Sequence, residues 1–464
     1  MQNASDDLVT GRVRAESDNI KNFNVTGREG GMSGGYNAIY WMMNKANQAI
    51  EGLPTATGIS EQLRNRALGE AYFIRAFSHF WVAYTWGHKS LGVPFDGPEN
   101  PEYGKRVPPQ MATVMDNYAQ IIQDLEKAAD LLPLFSAYGS SDYGRAHKAA
   151  AWGYMVKVYA YWAQYDPSKW ALIPALADKI KNEGGRALIV GKGSGEANYR
   201  AVFKVENNWS TEYLWSVTGG VRGGSIFPGV SLENKGWGVF NGWGYFQPTE
   251  ELYQEYEAGD PRREVTILKF GDKFTYFGKE REYFSTNSLS GFQINKYMEP
   301  YSYGSNEEAA SNLMINQNGD GPSTRLNLSL LRYAEILLFK AEALIQTGKA
   351  GEALAPLNEL RARVGLEPLV GTPTMADLKH ERRVELACEW SDRLADLKRW
   401  GDFDKINMPL HGRIHTNKTD PHSPFTVEVI WPKRSFDPSK HMAWPLNPDE
   451  ITRSNGAYKQ VPGW

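Results

Sequence analysis

The chain has one cysteine, Cys388, among its 464 residues, which excludes an internal disulfide and any thiolate cluster for zinc or iron. A packed thiol is the expectation for it. No apolar run approaches the roughly 18 residues that cross a bilayer, and the N-terminal segment is polar and Gly-rich where a secretion signal would carry an apolar stretch. Neither charge is in excess. There are 51 Lys and Arg against 54 Asp and Glu, a net charge of -3, so no basic footprint exists for nucleic acid or an anionic membrane. Strands and helices do not alternate along the chain, which removes doubly wound α/β folds and the serine hydrolases built on them.

Aromatic side chains, by contrast, are abundant. With 15 Trp and 24 Tyr, aromatics reach 12% of the chain, more than core packing commonly asks, so some rings belong on the surface. This composition points towards sugars. The length suggests two or three structural units, or one continuous helical superhelix.

The stretch from Leu326 to Gly401 organises the rest. In LNLSLLRYAEILLFKAEALIQTG, Leu330, Tyr333, Leu337, Ala341 and Leu344 recur at helical spacing; Gly348 stops the run. A second run, GEALAPLNELRARVG, carries Ala353, Leu357 and Leu360 inward. Together they fit a tetratricopeptide-like helix pair. A third helix is predicted over DLKHERRVELACEWSDRLADLKRWG, with Leu386, Trp390, Leu394 and Leu397 on one face. On another face Glu381, Glu385 and Glu389 lead to Arg393. Glu335 and Glu342 sit on an otherwise apolar helix and require partners if buried, which the arginines of the third helix can supply.

Upstream, residues 1–35 read as loop with a short extended piece at Asn22–Val25. NAIYWMMNKANQAIEGLP is a helix closed by Gly52 and Pro54, followed by a longer one capped by Ser60 and ended by Gly87. A Pro-rich loop, His88–Pro109, leads to a helix striped by Val114, Tyr118, Ile121, Leu125 and Ala128. RAHKAAAWGYMVKVYAYWAQY and SKWALIPALADKIKNEGG repeat the arrangement, with Ala149, Ala150 and Gly153 permitting close contact. From Gly185 to Ser323 the texture changes to short strands, such as RALIV and EYLWSV, between Gly-rich loops, with one helix in PTEELYQEYEAGDPRREVTIL.

Five stretches in order carry a family resemblance: LGEAYFIRAFSHFWVAYTWG, PTEELYQEYEAGDPRREVTIL, LRYAEILLFKAEAL, ERRVELACEWSDRLADLKRWG, and WPLNPDEI with KQVPGW. On these the chain resembles the SusD/RagB family of Bacteroidetes nutrient-binding outer-membrane lipoproteins, from about residue 36 to its end. The resemblance implies a mainly α fold: tetratricopeptide-like helical pairs forming a right-handed superhelix, with an irregular, loop-rich lobe containing a few short strands. One unit spanning 1–464 is expected, with a helical scaffold at 36–184 and 325–401. The ligand-binding lobe falls at 185–324, with C-terminal loops at 402–464. The implied function is glycan binding without catalysis or cofactor, in partnership with a SusC-like TonB-dependent transporter. The implied location is the cell surface, through a lipid anchor. The family's signal peptide and lipid-modified cysteine do not precede Met1, so a trimmed chain is expected. Val461 stands where the family often has Asn, and Trp390 where it often has Gly.

A pyranose presents a C–H face and a rim of hydroxyls, so a binder lays an aromatic ring on the face and hydrogen-bonds the rim. Covering half of one Trp or Tyr, at about 25 cal/mol per Å², gives on the order of 2 kcal/mol before binding costs. Micromolar affinity needs about 8 kcal/mol, hence several platforms. GWGVFNGWGYF supplies a dense set, and Trp237, Trp243 and Tyr245 are the expected carbohydrate-binding rings; the alternative is that they plug the lobe's own core. The family resemblance adds Asp7, Arg14 and Tyr36. Trp86 and His88 are expected to pack the helical scaffold.

Enzymatic motifs are thin. GMSGG fits G-x-S-x-G around Ser33 but has no strand before it, so Ser33 reads as a loop residue. His411 and His415 lie among Pro and Gly, outside any H-E-x-x-H, and imply no metal. An all-helical glycoside hydrolase needs two carboxylates about 5–10 Å apart; Glu250 and Glu251 flank the Trp cluster but diverge as helix neighbours and suit a helix start. A repeat scaffold binding peptides in its groove is the third reading.

Overall fold

The computed structural model describes residues 4–11, 15–219, 234, 243–276, 279–298, 326–389 and 392–464. They form two compact units. One comprises Met1–Asn22, Ala187–Ile345 and Ala350–Ser435; the other comprises Phe23–Arg186, Gln346–Lys349 and Phe436–Trp464. These boundaries differ from the sequence-based division, because residues 325–345 and 350–401 group with the strand-bearing segments instead of with the N-terminal helices.

The second unit is helical. Helices Gly30–Gly52, Glu61–Trp86, Val114–Leu131, Lys148–Trp162 and Ile173–Asn182 each pack on the next in sequence, the tetratricopeptide-like arrangement. The starts are capped as the sequence indicates: the Ser60 hydroxyl accepts the Leu63 N–H at 3.2 Å, and Thr113 with Asp116 forms a capping box. Val114, Tyr118, Ile121, Leu125 and Ala128 are all buried, and so are Ala149 and Ala150. Close approach explains the small residues, since a Cβ on Gly184 would lie 2.9 Å from that of Ala149. One charge is sealed inside: Arg75 is fully buried and forks onto Asp124 through two 2.7 Å bonds, with Asn47 and Glu99 taking its remaining donors.

The first helix begins earlier than its propensity suggests. It opens at Gly30, so Ser33 lies in its first turn and not in a loop. Burial of Met32 and Tyr36 outweighs the entropy of the four glycines in the first six residues of the helix, and the Glu29 carboxylate accepts the N–H groups of Thr26 and Gly27 just ahead. No strand leads into this helix: the element before it is the helix Ala15–Lys21, so the strand-turn-helix geometry of a nucleophile elbow is missing.

In the first unit, the strands of the described residues pair two by two, all antiparallel: Leu8–Thr10 with Phe246–Pro248, Tyr213–Val217 with Leu328–Arg332, Ile267–Lys269 with Phe292–Ile294, Lys273–Tyr276 with Lys279–Glu282, and Leu410–His415 with Phe425–Trp431. Several expectations are corrected here. The N-terminal segment is not loop throughout, since Leu8–Thr10 is a strand and Ala15–Lys21 a helix, whereas Asn22–Val25 forms no strand. RALIV makes no ladder; Ala187 and Ile189 instead donate to Thr211 O and the Glu212 carboxylate. Leu328–Arg332 is a strand that runs directly into the helix Tyr333–Gln346. PTEELYQEYEAGDPRREVTIL yields two short helices, Glu250–Glu255 and Arg262–Thr266, broken around Gly259 at φ 82° and Pro261.

The predicted third helix also divides, into Met375–Leu386 and Arg393–Trp400, with Cys388 at φ 63° in the break. Its carboxylates therefore do not climb to Arg393. Glu385 meets Arg332, Arg363 and Arg262 at 2.7, 2.5 and 3.2 Å. Glu389 meets Arg332 and Lys296 at 2.7 and 2.8 Å, and Glu381 meets Arg262 at 2.5 Å. Glu335 and Glu342 do find the arginines expected of them: Arg382 at 2.9 Å, and Arg399 at 2.5 Å with Trp400 Nε1 adding a 2.7 Å bond. Apolar side chains fill the space between. Leu8, Tyr199, Phe203, Val265, Ile294 and Leu328 make one cluster, and Leu252, Tyr256, Ile267, Phe292 and Val384 another.

Candidate functional site

The ring-bearing segment enters the strand Phe246–Pro248. Gly11 N–H donates to Tyr245 O at 3.0 Å, and a Cβ on Gly11 would sit 2.0 Å from Gly244 O, so only glycine allows this approach. Gly244 itself is at φ 57°, a left-handed conformation that a side chain would strain. Below them lies a buried amide lattice. Gln247, fully buried, donates to Asn234 Oδ1 at 2.9 Å and accepts the N–H groups of Leu289 and Ser290 at 2.8 and 3.1 Å. Asn234, also fully buried, donates through Nδ2 to Tyr283 Oη and Phe292 O, both at 2.8 Å, and through its backbone N–H to Gln293. Such a satisfied network specifies one conformation.

On this base, Trp243 and Tyr245 lie with ring centroids 5.3 Å apart and planes inclined by 43°. Both are half-buried. Phe246 turns the other way and packs on the apolar cluster of Leu8 and Val265. The pair thus stands at the boundary between core and solvent, anchored on one side and partly open on the other. Trp237 and Arg14 lie outside the described residues.

Asp7 and Tyr36 are placed differently from a ligand contact. Asp7 is buried, and its carboxylate accepts from Arg383 Nε at 2.8 Å. Burial lifts its carboxyl above the usual range against the opposing Arg383 charge, and neighbouring Asp6 adds to the rise. Asp6 goes the other way: Arg383 and Arg393 outweigh burial and hold it below that range. Both acids tie the N-terminal strand to the helix pair Met375–Leu386 and Arg393–Trp400. In the helical unit, Tyr36 is 7% exposed, 4.5 Å from the Tyr40 ring and edge-on to Trp86 at 5.2 Å. Trp86 is buried, as expected, and His88 accepts from Ser90 in a local turn.

The carboxylates beside the ring segment are engaged in holding the fold. Glu250 takes a bidentate pair from Arg413 at 2.8 and 3.0 Å, and Glu251 accepts the backbone N–H and ring Nδ1 of His411. Thr249 caps their helix. His415 stacks on Phe270 with ring centroids 3.9 Å apart. In the helical unit a cleft of about 670 Å³ is lined by Ser60, Glu61, Leu63, Arg66, Leu132 and Tyr138, but the Tyr138 ring is buried and has Arg66 over it. Sequence reasoning missed Gln247 and Asn234, whose side chains lie against Gly244 between the two rings. Their only signal was a polar side chain inside a strand-like run and in a Gly-rich loop.

Comparison with known proteins agrees with this architecture. The family model described as "SusD family" matches residues 202–464, and one described as "Starch-binding associating with outer membrane" matches residues 12–160. A SusD-like protein of Bacteroides ovatus is 26% identical over 422 residues, covering 86% of this chain and 71% of the relative. SusD-like protein P2 of Formosa agariphila is 24% identical over 481 residues, covering 96% and 83%. Among solved structures, a SusD-like protein from Bacteroides fragilis superposes with TM-score 0.81 at 24% identity, over 100% of this chain and 93% of that one. Surface glycan-binding protein A from Bacteroides thetaiotaomicron in complex with laminarihexaose superposes with TM-score 0.72 at 20% identity, over 99% and 92%. At that identity the superpositions establish the fold. Because the first family model spans more than half of its length, the chain belongs to the SusD family.

Proposed function

We propose that this chain binds oligo- or polysaccharide at the outer-membrane surface without catalysis, delivers it to a SusC-like TonB-dependent transporter, and is held there by a lipid anchor. The observation that carries this reading is the pair Trp243 and Tyr245, 5.3 Å apart, half-buried and fixed from below by Gln247 and Asn234. Two inclined rings on a pre-organised base can cover consecutive pyranose faces with little ordering cost. A laminarin-binding SusD-like protein and a laminarihexaose complex stand among the structural neighbours, which supports a glycan as the ligand class. Glu250 and Glu251, the carboxylates nearest in sequence, are committed to Arg413 and His411, which disfavours the hydrolase reading.

Affinity electrophoresis of the full chain over a polysaccharide panel that includes laminarin and starch tests the proposal. Saturable retention on one or a few glycans, with no new reducing ends, is expected. Trp243→Ala with Tyr245→Ala should abolish retention while lowering Tm by no more than about 3 °C, since neither ring is fully buried. Retention on no glycan would overturn glycan binding, and turnover that dies with a single carboxylate would establish the hydrolase. A large fall in Tm would assign the rings to the core.

A further inference from the structure

The most exposed aromatic ring among the described residues is far in sequence from the pair just described: Trp41, 63% exposed, on the helix Gly30–Gly52 of the helical unit. The opposite face of this helix is sealed by Ile39, Met43, Ala46 and Ile50, and Tyr40 Oη donates to Pro94 O at 2.8 Å, so the ring stands on a fixed base. Its own face runs through Gly34, Asn37, Trp41, Asn44, Lys45 and Gln48, all exposed. That stripe holds one ring, three carboxamides, one ammonium and no carboxylate. Lys45 Nζ lies 5.6 Å from the Trp41 centroid and donates to Gln48 Oε1 at 3.2 Å, while Asn44 Oδ1 accepts from Tyr103 Oη at 3.3 Å and is thereby oriented. Towards the helix start, a Cβ at Gly34 or Gly35 would meet nothing within 4 Å, which leaves a shelf clear of side chains beside the ring.

We infer that Trp41 is a second carbohydrate platform, stacking one pyranose of a glycan whose hydroxyls are met by Asn37, Asn44 and Lys45. The chemistry of the surround favours a sugar over a protein. A protein hot spot of this size needs apolar neighbours that exclude water, and here the exposed residues of the helix within one turn of the ring are Asn37, Ala38, Asn44 and Lys45. A pyranose needs what is present: one flat apolar face with donors and acceptors at its margin. This inference rests on the glycan-binding reading but on different residues. Its consequence is avidity: a polysaccharide offers many repeats, so a second contact raises retention of long chains more than that of short ones.

The test compares wild type, Trp41→Ala, Trp41→Phe and the Trp243→Ala, Tyr245→Ala pair by affinity electrophoresis on the same panel, with Tm measured for each. Trp41→Ala is expected to weaken retention about tenfold, the worth of one ring face, and to leave Tm unchanged because the side chain is exposed. Trp41→Phe should stay within about twofold of wild type. Wild-type retention in Trp41→Ala, with loss in the Trp243 and Tyr245 pair, would overturn this inference and leave the proposed function standing. A wild-type chain retained on no glycan would overturn both. Unchanged retention coupled with reduced co-purification of a membrane protein would reassign Trp41 to a protein contact.

Discussion

Arg332 of the strand-bearing unit bonds three carboxylates and a backbone carbonyl, and replacing it by methionine is a sharp test of how that unit is held together. Its guanidinium is 3% exposed and meets Glu389 at 2.7 Å, Glu212 at 2.6 Å and Glu385 at 2.7 Å, with the Glu385 carbonyl at 2.9 Å. Methionine nearly fills the volume, so the cavity term is small and the loss is electrostatic. Removing one partner of a buried ion pair costs about 3–5 kcal/mol, because a charge is left uncompensated in a medium that cannot solvate it. Arg363, Arg262 and Lys296 still face these carboxylates, which keeps the figure within that range. For a unit of this size the change corresponds to about 6–15 °C in Tm.

The pH dependence of Arg332→Met carries a sign. In the wild type burial raises Glu389, but Arg332 and Lys296 outweigh it and hold the carboxyl below its ordinary value. Glu385 is likewise held down against burial by Arg363, Arg332 and Arg262. Their contributions are therefore present above the unfolded carboxylate pKa and are lost as pH falls through the folded one. Without Arg332, burial dominates and at least one of these groups takes up its proton more readily, so acid relieves the variant. The stability gap between wild type and variant should be widest near pH 7 and should narrow by pH 4.5. Thermal melts and guanidinium titrations at the two pH values measure it. A gap under about 1 kcal/mol at pH 7, or one independent of pH, would refute the view that this network is an electrostatic core.

Two further outcomes follow from named contacts. Gly11→Ala places a Cβ 2.0 Å from Gly244 O, so it should part the Leu8–Thr10 and Phe246–Pro248 strands and weaken glycan retention together with stability, by about 1–3 kcal/mol; unchanged retention and Tm would show the approach to be looser. His380 is raised above its usual pKa by its hydrogen bond to Glu255, against burial, so its stabilising effect is full below the unfolded value and is lost as pH rises through the folded one. An NMR titration should find it above 6.5 in the wild type and lower in Glu255→Gln.

The helical unit was largely legible because its signals are local. Apolar residues at a 3.6 period, Ser60 as a cap and Gly87 as a stop each act within a turn or two of where they stand. The need of Glu335 and Glu342 for arginines was legible too, since a carboxylate on an apolar stripe has few other ways to be buried. What escaped was non-local. Leu8–Thr10 has three residues, too few to show a period, and it exists because Phe246–Pro248 pairs with it. Cys388 breaks a continuous helical pattern because the carboxylates on either side of it bond to other elements of the unit, Glu381 to Arg262 of a short helix and Glu389 to Arg332 of a strand. At the proposed site, Trp243 and Tyr245 were visible in the sequence as rings beside glycines. Asp7 gave no sign of burial, since its partner Arg383 is at the other end of the unit's sequence.

These two kinds of legibility have a common physical cause. Strands of three to seven residues in two-stranded sheets cannot between them enclose a large apolar core. The strand-bearing unit makes up the difference with directional bonds: arginines forked onto carboxylates, and an amide lattice at Gln247 and Asn234. Directional bonds fix orientation more tightly than apolar contact does. A fold of this kind can carry long loops and still hold two rings at a set inclination. The glycan reading requires that property, because sugar stacking is weak per ring and tolerates little ordering cost. A looser apolar lobe could bury the same rings, but it would have no means of keeping Trp243 and Tyr245 half-open at 5.3 Å.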